Sequence, residues 1–149
     1  MTDIIPITLS NIHEVKPYAA EFMQTLQEPC DPDYYQHRWE GFLKAGIGVG
    51  WWAYVDGKCT GGIGGIIAPD ILCGKSTLIE LFWYITPKYR RCGILVYREM
   101  KRYVEDKNLR WAMIHMERSM PEKLKEFYTK QGFRLLETHW IRCPNSGRK

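Results

Sequence analysis

Three basic residues and one glycine crowd the point where an apolar run gives way to a helical pattern. The segment is Lys88-Tyr89-Arg90-Arg91-Cys92-Gly93, and Leu78–Pro87 before it is apolar and aromatic. After it, Val96, Met100, Tyr103 and Val104 recur at helical spacing. Cations at the start of a helix oppose its macrodipole, at a cost of roughly 0.3–1 kcal/mol each. The first amides of that helix also lack partners within it. An anion docked at the junction resolves both problems, and Gly93 lets it come close to the backbone. Strand, tight basic loop and helix start together describe a seat for a phosphate.

Other chemistry-bearing residues are more scattered. Glu80 is the only carboxylate on the apolar strand Ser76–Thr86. Five positions separate it from Ile85, so simple alternation sends the two to opposite faces unless a bulge intervenes. In Leu109–Glu117, a second strand pattern, Trp111, Met113, His115 and Glu117 fall on one face, and Ala112, Ile114 and Met116 on the other. Cys30, Cys59, Cys73, Cys92 and Cys143 are odd in number and show no CxxC spacing. They suggest neither a disulfide framework nor a metal site, and a reducing, cytoplasmic setting is expected. The run Gly61-Gly62-Ile63-Gly64-Gly65 looks like a nucleotide loop. No helix follows it, so it reads as a strand whose glycines let a neighbour approach closely.

These residues need a scaffold. The 149 residues suit one domain with a substantial core, and residues from about 144 onward read as a flexible polar tail. Apolar content of 45% and charged content of 26% are those of an ordinary globular chain. A net charge of +4 suits an anionic ligand and disfavours nucleic acid as partner. The N-terminus reads as no signal peptide, and no apolar run reaches the roughly 20 residues that span a bilayer. A homodimer stays open.

In chain order, Ile4–Thr8 reads as a strand, and Ser10 as the cap of a single turn. Pro17 opens a helix with a stripe at Ala19, Phe22, Met23 and Leu26, ended by Pro29. Asp31-Pro32 starts a second helix that buries Tyr35, Trp39, Phe42 and Leu43 and closes at Gly46. Val49–Val55 and Lys58–Ala68 form a hairpin about Asp56-Gly57. Ser76–Thr86, a helix over Gly93–Lys107 and Leu109–Glu117 make a βαβ unit. Ser119 and Glu122 form a capping box for a helix that ends at Gly132. Phe133–Cys143 is a last strand, bent near Leu135-Leu136. The expectation is a mixed α+β (α/β) fold, a central mixed sheet of about six or seven strands flanked by four helices.

Two stretches carry a resemblance. Ile85-Thr86-Pro87-Lys88-Tyr89-Arg90-Arg91-Cys92-Gly93-Ile94-Leu95 resembles the acetyl-coenzyme A loop of the GNAT N-acetyltransferase superfamily, V-x-P-x-x-(Q/R)-x-x-G-x-(G/A). Arg90 takes the Q/R position, Gly93 the first glycine, and Leu95 departs from the small residue that closes the pattern. Downstream, Phe127-Tyr128-Thr129-Lys130-Gln131-Gly132-Phe133 is similar to the family's (L/F)-Y-x-K-x-G-F. The resemblance implies acetyl transfer from acetyl-coenzyme A to an amine, a small molecule or a protein, by direct attack in a ternary complex. It implies no metal. It places the cofactor pyrophosphate on the amides of Arg91, Cys92, Gly93, Ile94 and Leu95, with Arg90 beside it. The pantetheine arm would pair with the strand end near Tyr84 and Ile85, where the parallel strands Ser76–Thr86 and Leu109–Glu117 splay apart. Tyr128 would protonate the leaving thiolate, and Glu80, with His115 and Glu117 as rivals, would take the amine's proton. Leu95 keeps a rival reading alive, a non-catalytic binding protein on the same scaffold.

Overall fold

The structure, a computed structural model, describes residues 1–116 and 121–144. It divides into two compact units, Met1–Met116 and Glu117–Lys149.

The first unit is a sheet with helices on it. Its elements are β1 (Thr2–Pro6), α1 (Val15–Leu26), α2 (Pro32–Lys44), β2 (Gly48–Val55), β3 (Lys58–Pro69), β4 (Ser76–Ile85), α3 (Gly93–Lys107) and β5 (Arg110–Ala112). Sheet order follows sequence order, antiparallel throughout except for the parallel pair β4–β5. Local chemistry sets the boundaries. The Asp31 side chain accepts the Tyr34 amide at 3.1 Å, with Pro32 at the first helical position. Asp56 and Gly57 have φ of 50° and 82°, the paired positive values of the tight turn whose twist matches a hairpin. Asn11, rather than Ser10, organises the end of β1. Its Oδ1 accepts the Thr8 amide at 2.8 Å and the Trp52 indole N–H at 3.1 Å.

Two apolar layers sandwich the sheet. Ile63, Leu78 and Ile85 pack with Val96, Met100 and Val104 of α3. On the other layer Ile12 and Val15 pack with Trp39, Trp52 and Phe82. The glycine run lies on β3 between its two neighbours, and it serves packing. A Cβ on Gly64 would stand 2.6 Å from the Phe82 ring and 2.8 Å from that of Trp39. Gly61, at φ 128°, would drive a Cβ into the Tyr84 carbonyl.

The sheet has five strands among the described residues, fewer than the expected six or seven. Leu109–Glu117 contributes only Arg110–Ala112 to the ladder, because the chain beyond Ala112 turns its hydrogen bonding elsewhere, as described below. Among the described residues, no strand is formed within Phe133–Cys143. Its Leu135, Leu136, Trp140 and Ile141 are exposed.

The second unit holds α4 (Glu122–Lys130). Ser119, the expected cap, and Glu117 lie outside the described residues; Pro121 precedes the helix in extended conformation. Gly132 ends the helix at φ 90°. The Gly132 amide returns to the Thr129 carbonyl at 3.1 Å and the Phe133 amide to the Tyr128 carbonyl at 2.9 Å. That is the left-handed helix stop expected of a glycine there.

Candidate functional site

The parallel pair β4–β5 is short. Thr77, Leu78 and Ile79 pair with Arg110, Trp111 and Ala112, and there the ladder ends. Glu80 is the next residue on β4. Its side chain is 1% exposed, and it accepts the backbone N–H of Ile114, two residues past the last pair. A carboxylate therefore stands where a strand-to-strand bond would be, and β5 ends. Glu80 Oε2 has no hydrogen-bond partner among the described residues. Burial pushes the Glu80 carboxyl up to about 8, against the smaller opposing effect of the Ile114 amide. The group is accordingly mostly protonated at pH 7. From α2, the Tyr35 phenol is pushed up to about 12 by burial, and the Glu80 charge adds in the same direction.

The bulge that the Glu80–Ile85 spacing left open is present. Gly64 pairs with Phe82 and Gly65 with Glu80, so Leu81 is an extra residue on β4. Five steps along β4, Glu80 to Ile85, match four along β3, Gly65 to Gly61. The two residues return to the same side of the pleat. No local signal marks the bulge, since Leu81-Phe82 sits in a run that is apolar and aromatic almost throughout.

Aromatic rings line one face of the fork. Tyr97 of α3 stacks on Trp83 of β4 at 5.3 Å and on Trp111 of β5 at 5.1 Å. His115 lies edge-on to Trp83 at 6.5 Å, as its alternation with Trp111 and Met113 implies. Burial lowers the His115 pKa, which leaves the imidazole neutral at pH 7. The Trp83 indole also donates to the Gly93 carbonyl at 3.1 Å, tying β4 to the first residue of α3.

The basic loop is coiled. Pro87–Cys92 forms a tight 3-10 turn that runs into α3 with no extended cap, Cys92 having φ −72° and ψ −15°. The Gly93 N–H is used by the Arg90 carbonyl. Gly93 has an ordinary helical φ of −58°, and its missing Cβ leaves only normal contacts, 3.6 Å to Trp83 Nε1. Arg90 and Arg91 are exposed, Ile94 and Leu95 half-buried, and the Cys92 and Ile85 side chains belong to the core. The Arg90 guanidinium lies 5.2 Å above the Tyr84 ring. The Tyr84 hydroxyl donates to Glu21 Oε1 of α1 at 2.6 Å. Nothing in the α1 sequence marked Glu21 as part of this neighbourhood, because only the register of α1 on the sheet brings it there.

In the second unit Tyr128 is 7% exposed and packs edge-to-face on Phe133 at 5.4 Å and on Phe127 at 5.9 Å. Its ring thus helps stop α4 whatever its hydroxyl does. No group of three or more His, Cys, Asp or Glu among the described residues is placed to hold a metal. No described helix is long and apolar enough to cross a membrane.

The fold has many solved counterparts. A ribosomal-protein-alanine N-acetyltransferase from Brucella melitensis biovar Abortus 2308 superposes with a TM-score of 0.71 at 21% identity, over 96% of this chain and 99% of that one. A predicted acetyltransferase from Clostridium acetobutylicum, solved with acetyl-CoA, gives 0.73 at 11% identity over the full length of both. An aminoglycoside acetyltransferase from an uncultured soil metagenomic sample, in complex with sisomicin, gives 0.70 at 11% identity over 95% of each. No curated protein matches the sequence. The profile of the Acetyltransferase (GNAT) family matches residues 14–133, most of the chain and all of its β4–α3–β5 core. The chain is a member of the GNAT acetyltransferase family.

Proposed function

We propose that the protein is an N-acetyltransferase that moves an acetyl group from acetyl-coenzyme A to an amine held in the same complex. The observation that carries this reading is the fork. Two parallel strands part after three pairs, with a buried carboxyl group at the parting point and two exposed arginines in the turn that follows the same strand. The edge of β4 near Tyr84 and Ile85 that faces away from β3, without a strand partner among the described residues, suits the amide-bearing pantetheine arm. Arg90, Arg91 and the start of α3, from Cys92 to Leu95, suit the pyrophosphate. The engaged Gly93 amide leaves that task to fewer backbone donors and more to the guanidinium groups.

The chemistry needs a neutral amine. Its nitrogen attacks the thioester carbon, a C–N bond forms, the C–S bond breaks, the amine loses a proton and the thiolate gains one. Glu80 in its ionised form, or the already neutral His115, accepts the first proton. Tyr128 supplies the second. The acceptor is a small-molecule or protein amine, in keeping with relatives named for a ribosomal-protein alanine and for aminoglycosides.

Calorimetric titration with acetyl-coenzyme A, followed by an amine-panel acetylation assay, tests the reading. Saturable binding below millimolar and turnover of one amine class are expected. Absence of binding in that range sinks it and leaves the non-catalytic scaffold, for which half-buried Leu95 in the first turn of α3 is the specific support.

A further inference from the structure

Arg90 is exposed, yet the fold gives it a definite seat. Its guanidinium lies over the Tyr84 ring at 5.2 Å. Tyr84 is 8% exposed and held by neighbouring rings, Phe22 at 5.3 Å and Tyr18 at 6.2 Å, both from α1. The Tyr84 hydroxyl is turned toward Glu21 Oε1 at 2.6 Å. One α1 carboxylate thus fixes the phenol, and the face of that phenol seats the guanidinium. A long arginine on a surface loop otherwise samples many rotamers, and a planar fork delivers two parallel bonds to a phosphate only when presented in one orientation.

We infer that Glu21, acting through Tyr84, is a positioning residue that presents Arg90 to the cofactor's phosphate groups. The inference rests on the proposed reading of the basic loop as the pyrophosphate seat. It adds a residue from α1, far from that loop in sequence, to the determinants of cofactor affinity. Glu21 need not touch the cofactor. Its effect must therefore vanish when the phosphates are removed, which a merely structural role would not do.

The experiment uses the full chain and two acetyl donors: acetyl-coenzyme A, and S-acetylpantetheine, which lacks every phosphate. Glu21→Gln and Tyr84→Phe, both of which keep side-chain shape, should each raise the KM and Kd for acetyl-coenzyme A about three- to tenfold, with kcat within about twofold. The double variant should be no worse than either single one, and neither change should add to Arg90→Ala. Kinetics of Glu21→Gln with S-acetylpantetheine should be unmoved. Equal losses with both donors, additive losses, or unaltered or tightened acetyl-coenzyme A binding would overturn the inference. A second readout needs no ligand. The Arg90 side-chain proton signals of the free protein should be shifted by the Tyr84 ring current, and that shift should shrink in Glu21→Gln; unshifted signals in the parent protein overturn the relay. Wild-type protein that binds no acetyl-coenzyme A brings down the cofactor reading, and the inference with it. Wild-type binding that Glu21→Gln leaves intact brings down the inference alone.

Discussion

At the scale of single residues, Glu80 is the costly group. An acid whose pKa is raised by burial is stabilised in the folded state only while protonated. Between its unfolded value near 4.5 and its folded value of about 8, the folded chain binds more protons than the unfolded one. Stability contributed by this residue is therefore present below that window and drains away as pH rises through it. Glu80→Gln keeps the shape and removes the titration, so urea midpoints at pH 5 and pH 8 should converge in the variant and differ in the parent. If Glu80 is also the base, the rise of kcat/KM toward pH 8 should disappear in the same variant. Tyr128 calls for a different separation, because its ring holds the α4 stop against Phe133. Tyr128→Phe keeps that packing. Turnover should fall about 10²- to 10⁴-fold, as for loss of a general acid, while the melting temperature stays within about two degrees. Unchanged turnover would confine Tyr128 to architecture.

At the scale of elements, β3 is defined by what it lacks. Gly64 faces the rings of Phe82 and Trp39 at distances that leave no room for a methyl group. Gly64→Ala should destabilise the first unit by about 1–3 kcal/mol, seen as a lower urea midpoint at unchanged slope. The elements set by local chemistry were legible in the sequence: the Asp31-Pro32 start, the Asp56-Gly57 turn, the Gly93–Lys107 span of α3 and the Gly132 stop. Those set by long-range pairing were not. The length of β5 depends on a glutamate side chain competing for the Ile114 amide, which no periodicity in Leu109–Glu117 records. Phe133–Cys143 has strand-like composition without a strand among the described residues, because composition states a preference and no more. The same split holds for the site. Two arginines facing a helix start are visible as a misplaced charge, whereas Glu21 enters only through the packing of α1 against the end of β4.

At the scale of the whole molecule, charge is the quantity that matters for an anionic partner. The net charge is +4, and Arg90 and Arg91 are exposed at the loop. Acetyl-coenzyme A affinity should therefore weaken about three- to tenfold between 50 and 500 mM NaCl, as screening shortens the reach of exposed charges. Duplex DNA should bind no tighter than the roughly 10⁻⁴ M of non-specific association at physiological salt. An affinity for acetyl-coenzyme A that ignores salt would mean that backbone dipoles, not guanidinium groups, hold the phosphates. One feature of the fork reaches beyond affinity. Trp83, Tyr97 and Trp111 form a pile of three rings, each neighbouring pair tilted by only 26°, and the outer two ride on the strands that part. Chromophores so close and so aligned share their excited states, and their common signature depends steeply on spacing. The protein carries its own optical strain gauge across β4 and β5, legible in near-ultraviolet dichroism and tryptophan emission without any added label.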